Sequence, residues 1–530
     1  MNSDEPPTQS RARRLLPVLG EVWTMSVPII FTNLLQTLVN VADVFLVGRL
    51  GPIEVAAVGM SQVLRMLMLV GLMSITTGSM VLVAQARGAR DPERVSRVVR
   101  QSLLFALMFG VALAVIGWWI SRPLLVFLNS GEGGHVIDLS VGYLRVLFIG
   151  ATFLAVNFVV NKVMQGAGDV ITPLYLTAGV NVLNVLLAIL LIFGFGPIPS
   201  LGVAGAALST ILSRLAASVV GVWLLYSGRN VIKLRAGSYR PDWRLMRQIL
   251  AIGVPSGAQG VARNLTQLFV LRILTSTSAG ALGAAALAIG TQVTRLIQTP
   301  GLAIGLASTA MVGSSLGAWQ TKDARLRGNV AMGFGVVLLT LLAVPVIWFA
   351  PALVRFFEPT AEGVVMSAGV AYLRIVGLSQ PLLAIAMVSN GALRGAGDTL
   401  PGLYATLIGR WLVSVPLAYL LALRLGMGPA GVWWALAAGT ALQAGITFWR
   451  WSGRGWLRVA IRQTTLWREH LRDQPLEVRR RYLEEVRTPL MAIDGVIEEV
   501  DEVGVHYETT GLDVRVRFGP NGFEVARHET

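Results

Sequence analysis

The 530-residue chain contains no cysteine. Disulfides, thiolate metal sites and cysteine nucleophiles are therefore excluded, and redox compartment is not written in cysteine usage. Histidine is scarce: His135, His470, His506 and His528 are the only four, and none lies inside a long apolar segment. Histidine metal chemistry at membrane depth goes with them. Charge is sparse too, at 14% of residues against 54% hydrophobic. A soluble protein carries about a quarter charged residues, so this is the composition of a polytopic membrane protein. Rarest of all is an acid inside an apolar run. Asp43 is the only Asp or Glu in the interior of any long apolar segment.

Asp43 ends the stretch Asn33-Leu-Leu-Gln36-Thr-Leu-Val-Asn40-Val-Ala-Asp43. Steps of three and four place Asn33, Gln36, Asn40 and Asp43 on one helical face. A carboxylate at bilayer depth is costly unless paired, hydrated or protonated, which makes Asp43 a functional candidate by default. The competing reading puts it close enough to Arg49-Leu-Gly-Pro52 to reach headgroup water. The polar stripe behind it argues instead for a protein or water interior.

Segments long enough to span a bilayer run approximately over 23–48, 55–85, 100–121, 141–164, 171–194 and 202–226, then 247–273, 281–313, 329–350, 370–393, 401–424 and 430–451. The sequence thus predicts an all-α membrane protein with twelve transmembrane helices in two six-helix bundles. The expected organisation is a cytoplasmic tail over 1–20, a first lobe over 21–228 and a linker over 229–245. A second lobe over 246–452, a basic amphipathic juxtamembrane segment over 453–475 and an acidic tail over 476–530 follow. The start is short, polar and basic and lacks the pattern of a cleaved secretory signal.

The net charge of +15 invites a nucleic-acid reading, but the basic residues cluster in alternate loops. Arg87, Arg90, Arg94, Arg97 and Arg100 follow the second span, Arg229, Lys233, Arg235, Arg240 and Arg244 the sixth, and Lys322, Arg325 and Arg327 the eighth. The loops with Glu132 and Asp138, and with Glu358 and Glu362, are acidic or mixed. That is the positive-inside pattern, so a cell-membrane location with both termini cytoplasmic is expected.

The halves repeat. Tyr143-Leu-Arg145 returns as Tyr372-Leu-Arg374, and Gly166-Ala-Gly-Asp169 as Gly395-Ala-Gly-Asp398, both 229 residues later. Gln62-Val-Leu-Arg65 returns as Gln292-Val-Thr-Arg295, and Pro28 pairs with Pro255. Six spans per copy, an even number, make the repeats parallel, with a site between or within the lobes. The Gly-Ala-Gly-Asp turns read as tight turns and caps, since no Lys-Ser/Thr follows as a nucleotide loop requires.

Further polar residues join the candidate set. Thr177, Asn181, Asn184 and Ala188 line one face of the fifth span, Asn157 and Asn161 sit one turn apart on the fourth with Lys162 next, and Thr210 lies on the sixth. An Asp among amide and hydroxyl oxygens can hold sodium or keep a proton; helix–helix hydrogen bonding is the plainer alternative. Of the embedded arginines, Arg263 and Arg410 look deepest, and they make the second lobe cationic on its inner face. From Arg450 to His470 the chain is basic, with Trp451, Trp456 and Trp467, which suits an interfacial helix. In the tail, the acidic run Glu498-Glu-Val-Asp-Glu502 reads as solvated, and Val514 to Val525 as a small hairpin.

The ordered set Pro28, Asp43-Val-Phe-Leu-Val-Gly-Arg-Leu-Gly51, Gln165-Gly-Ala-Gly-Asp169, Leu183-Asn-Val-Leu-Leu-Ala-Ile-Leu-Leu-Ile-Phe-Gly194 and Arg394-Gly-Ala-Gly-Asp398 resembles the multidrug and toxic compound extrusion (MATE) family over roughly 15–452, and its DinF-type branch in particular. The resemblance implies a V-shaped pair of bundles exporting amphipathic compounds against inward protons or sodium, with no enzyme activity and no other cofactor. Carried over by position, Asp43 is the coupling acid, with Tyr143, Asn161, Asn184 and Thr210 around it. Asn33, Gln36, Asn40, Asn157, Asn181, Arg263 and Arg410 form the substrate cavity. Two departures stand out. Ala188 occupies a place where the family often has Asp, and the second lobe has Arg263 at or beside the seventh-helix Glu of another branch and no acid in its tenth helix. The missing second carboxylate leaves any sodium site at Asp43 poorer in charge, which favours protons.

The partners expected are a small amphipathic substrate and the bilayer, with no nucleic acid; a monomer suffices. The rivals are a flippase for lipid-linked or anionic lipid substrates and a membrane sensor working through its C-terminal tail.

Overall fold

The computed structural model describes the chain apart from residues 1–6, 129–133, 196–198, 236, 360–362, 466–496, 502–503, 510–511, 520–521 and 528–530. Glu132, Glu362, the centre of the 196–200 loop, Trp467 and the start of the acidic tail lie outside the described residues.

The first half contains α1 (Pro7–Gly48), α2 (Pro52–Gly88), α3 (Pro92–Leu128), α4 (Gly134–Ile149), α5 (Ala151–Gly166), α6 (Ile171–Phe193) and α7 (Gly202–Ser227). The expected N-terminal tail is thus already helical from Pro7. The second half contains α8 (Trp243–Thr275), α9 (Gly280–Gly317), α10 (Thr321–Trp348), the short α11 (Ala350–Phe357), α12 (Gly363–Leu378) and α13 (Gln380–Gly395). A continuous helical run, Leu400–Arg424, follows as α14 (Leu400–Thr406), a π-helical stretch Leu407–Ser414, α15 (Val415–Tyr419) and a second π stretch Leu420–Arg424. Then come α16 (Gly428–Ser452) and α17 (Gly455–Thr465). Pro416 has no N–H to return to the preceding turn, which accounts for the disturbed ladder around it.

Among the described residues, eight helices are long and apolar enough to cross a membrane, and two bent pairs bring the number to 10. The two other predicted spans, α8 and α16, have the length, at 33 and 25 residues, and fall outside that set. The bent pairs carry the repeat into three dimensions. α4 and α5 meet at 49° around Gly150, α12 and α13 at 50° around Ser379, and those two breaks are again 229 residues apart. Each Gly-Ala-Gly-Asp turn has its second glycine at φ 79° (Gly168 and Gly397), a conformation costly for any residue with a Cβ. Asp169 accepts the Thr172 backbone N–H at 3.0 Å, so it caps the helix that follows.

One core gathers around Leu82, Val98, Val159, Val163 and Leu225 of the first lobe and takes in Ile249 and Ile252 of α8; the other lies in the second lobe around Leu274, Val354, Leu373 and Trp433. The lobes meet along α2 by glycine contacts. A Cβ on Gly253 would lie 1.7 Å from the Ser74 carbonyl oxygen, and one on Gly88 1.9 Å from that of Ser314. Gly317 meets the Gln85 carbonyl in the same way, at 1.9 Å. Without a solvent-driven hydrophobic force inside lipid, such close backbone approach is how membrane helices gain packing energy.

α1 belongs to both lobes. Val22 packs with Ile304, Met311, Ala331 and Val388, and Ile29 with Ala303 and Ala307, all in the second lobe except for Val170 beside Ile29. Glu21 pairs with Arg327 of α10 at 3.2 Å. Beyond Pro28 the same helix places Leu46 and Val47 among Tyr143, Ala188, Ile192 and Val203 of the first lobe.

Two expectations need correction. Trp451 and Trp456 are not interfacial: both are buried, stacked at 4.5 Å, with Trp451 Nε1 donating to Asn329 Oδ1 at 2.8 Å. An indole that satisfies its N–H inside the protein gains more contact than one lying at the headgroups. The tail is also more ordered than its acidity implies. The hairpin is present as β3 (Leu512–Gly519) and β4 (Gly522–Arg527), but β1 (Ile497–Asp501) and β2 (Gly504–Thr509) precede it in a four-stranded antiparallel meander. β1 includes Glu498–Asp501 of the acidic run, and its register pairs Val500 with Val505.

Candidate functional site: a polar first lobe facing a cationic second lobe

In the first lobe the candidates divide into two neighbouring groups. Asn184 of α6 is buried, its Nδ2 within 3.4 Å of Thr210 Oγ1 and 3.5 Å of Ser213 Oγ on α7. Its Oδ1 has no hydrogen-bond partner, and neither has either amide atom of buried Asn181 one turn earlier. Tyr143 and Ala188 are packed with Leu46 and Val47, one turn from Asp43 on α1, and Asp43 itself is half-buried. Ala188, 1% exposed, is hydrocarbon packing.

The second group is assembled by a residue the sequence reading passes over. Arg214 of α7 donates through Nη2 to Gln36 Oε1 at 3.0 Å and through Nη1 to Asn157 Oδ1 at 3.2 Å. Asn161 closes the set, its Nδ2 donating to the Asn157 carbonyl at 3.1 Å, while its own buried Oδ1 is unpartnered. The signal for Arg214 was available: it stands one turn beyond Thr210 on the same helix. Asn33 is half-buried and Asn40 exposed along the stripe that carries Gln36.

The second lobe has a matching knot. Asn390 Nδ2 donates to Gln259 Oε1 at 3.0 Å, Gln259 Nε2 donates to Thr406 Oγ1 at 3.0 Å, and Gln443 Nε2 reaches the same hydroxyl at 3.0 Å. Arg263 lies one turn past Gln259 and Arg410 one turn past Thr406, within electrostatic reach of each other. The repeat relates the lobes residue by residue. Asn161 corresponds to Asn390, Thr177 to Thr406, Asn181 to Arg410 and Arg214 to Gln443 at the spacing of 229, and Gln36 to Arg263 at the Pro28–Pro255 spacing. At that same spacing Asp43 corresponds to Val270, a buried residue of the second core. The lobes share a scaffold and differ in charge: the acid is in the first.

Among the described residues no group of three His, Asp or Glu side chains could hold a metal ion. The MatE family profile matches residues 28–190 and 255–420, one match to each half of the repeat. The chain belongs to the MatE family. It is 30% identical over 420 residues to a "Probable multidrug resistance protein NorM" of Thermotoga maritima, covering 79% of this chain and 89% of that one. It is also 30% identical over 434 residues to a "Multidrug resistance protein NorM" of Burkholderia vietnamiensis, covering 80% and 92%. Among solved structures, a chain described as an "Outward-facing conformation of a multidrug resistance MATE family transporter of the MOP superfamily" has a TM-score of 0.76 at 23% identity, covering 84% of this chain and 96% of that one. A MOP superfamily transporter from Pyrococcus furiosus, described by a "reverse polarity" of its binding pocket, has a TM-score of 0.76 at 24% identity over the same shares. As a MatE protein the chain is a membrane transporter with helical spans, and not an enzyme.

Proposed function

We propose that this MatE protein exports small amphipathic organic compounds across the cell membrane in exchange for protons or sodium, with Asp43 carrying the exchanged ion. The observation that supports this most directly is the position of Asp43 in the sequence. It is the one acid inside the spans, and the first lobe that holds it also holds buried, unpartnered oxygens at Asn161, Asn181 and Asn184. A buried polar atom with no partner is costly, so this face is built to receive water, a cation or a protonated carboxyl. Ala188 adds no second negative charge, which favours a proton over sodium.

The coupling follows from α1. Neutralising Asp43 removes the cost of holding a charge at depth and changes which packing of the helix around it is preferred. Because α1 packs on the first lobe beyond Pro28 and on α9 and α10 before it, a shift at Asp43 is felt at the seam between lobes. Pro28 withholds one N–H from the helix ladder, so bending there is inexpensive. The basic loops after α2, α7 and α9 support cytoplasmic termini. In cells loaded with an amphipathic fluorescent dye, the wild-type chain should lower accumulation and Asp43→Asn should not; equal efflux by both refutes the role given to Asp43.

A further inference from the structure

The second lobe carries cations that this coupling does not use. Arg263, Arg394 and Arg410 each stand one turn beyond a member of the Gln259–Asn390–Thr406 knot, so three arginines stem from one rigid centre. Arg394 folds back on its own helix, its Nε 3.4 Å from the Asn390 carbonyl. Arg263 lies within electrostatic reach of both Arg394 and Arg410, and Arg394 within reach of Lys162. Lys162 belongs to the first lobe, where it donates to Gln165 Oε1 at 2.9 Å, so the cluster lies where the lobes face each other.

No carboxylate among the described residues pairs with any of the four. The chain offers few candidates: second-lobe acids fall only at helix ends, and Asp398 is taken by Arg450 at 2.8 Å. Arg410 Nε is buried without a partner, whereas Arg263 is exposed. Beside them Trp411, whose Nε1 donates to the Ala262 carbonyl at 3.0 Å, meets Phe269 edge-on at 5.1 Å and provides an aromatic surface. The corresponding first-lobe positions are neutral amides: Gln36 for Arg263, Gln165 for Arg394 and Asn181 for Arg410.

Like charges gathered where the lobes face each other repel one another, and a buried group such as Arg410 Nε also forgoes hydration; an anion relieves both costs. Guanidinium forks match the paired oxygens of phosphate and carboxylate. We propose that the transported compound has an anionic head, a phosphate or a carboxylate, on an apolar body, and that Arg263, Arg394 and Arg410 with Lys162 hold that head. This rests on the reading of the chain as a carrier of amphiphiles through the space between its lobes. It places the head between the lobes, chiefly against the lobe without the acid.

The test uses the full chain in nanodiscs of neutral phosphatidylcholine and three probes with one pyrene-dodecyl body and a phosphate, a carboxylate or a trimethylammonium head. The two anionic probes should bind about tenfold or more tightly than the cationic one, the worth of one charge-assisted hydrogen bond. Arg263→Gln and Arg410→Gln should each narrow that gap, and Arg410→Lys should keep most of it with an unchanged melting temperature. Equal binding of the three heads, or preference for trimethylammonium, overturns the proposal. Binding is read without a gradient, so a protein that prefers anions yet exports nothing refutes the transport reading alone. Proteoliposomes doped with fluorescent phosphatidylglycerol identify the source of the head. Protein-dependent lipid movement assigns it to a lipid, and anionic-probe binding without lipid movement assigns it to a free amphiphile.

Discussion

Arg214 donates to Gln36 Oε1 at 3.0 Å and so ties α7 to α1, the helix that also carries Asp43. A second donation, to Asn157 on α5, makes Arg214 the point where three first-lobe helices are held together. Hydrogen bonds from a charged donor contribute about 1.5–3 kcal/mol each. Arg214→Gln, the residue of the equivalent second-lobe position, should lower ion-coupled export about tenfold or more while the protein still folds. Export assayed beside a melting curve checks this; unaltered export would make Arg214 mere packing.

Gly88 sits where a Cβ would be 1.9 Å from the Ser314 carbonyl oxygen. Gly88→Leu should therefore hold the seam between α2 and α9 open, at an overpacking cost of about 1–3 kcal/mol. The absence of cysteine makes the measurement clean. A single Ala84→Cys, fully buried on α2 against Gly313 of α9, should react with a maleimide about fivefold faster or more in the Gly88→Leu background. Equal labelling rates would mean that the seam does not open.

Asp398 is 7% exposed and Arg450 31%. Burial pushes the Asp398 carboxyl above its ordinary value, against the pull of the Arg450 hydrogen bond. A raised folded value means that this group favours the fold most in acid, and that its contribution fades as pH rises through that value. Arg450→Met leaves the carboxylate without its partner, a loss of up to about 3 kcal/mol at neutral pH. Thermal melts should show the deficit shrinking as pH falls toward the carboxylate range. A deficit constant with pH would show that Asp398 is not its origin.

Ending the chain after Thr465 removes the segment 466–530 with its four-stranded sheet. If the lobes are the working part, export should stay within about twofold of the full chain. Loss of export in a truncated protein that melts normally would make the tail functional.

Most of the fold was legible because it rests on long signals. Twelve apolar runs, alternating loop charge and a repeat at 229 residues each carry many residues. The bends around Gly150 and Ser379 were not, since one glycine or serine in an apolar run does not announce a break. The burial of Trp451 and Trp456 was missed because composition near a span's end reads as interface until a partner such as Asn329 is seen. At the site, the polar stripes gave Gln36, Asn157, Asn161, Asn184 and Thr210. Arg214, which joins Gln36 to Asn157, stands mid-helix on α7 and has no sequence signal beyond its place one turn past Thr210. In the sequence Arg394 is one residue of a turn motif, and its place among the second-lobe cations follows from the fold.

The central claim is that Asp43 couples an ion to export. Proteoliposomes loaded with a fluorescent amphiphile, with a proton or a sodium gradient imposed separately, test it directly. The account predicts export that follows one gradient, that of protons in view of Ala188, and that is lost in Asp43→Asn. Export that persists in Asp43→Asn, or that ignores both gradients, would contradict it.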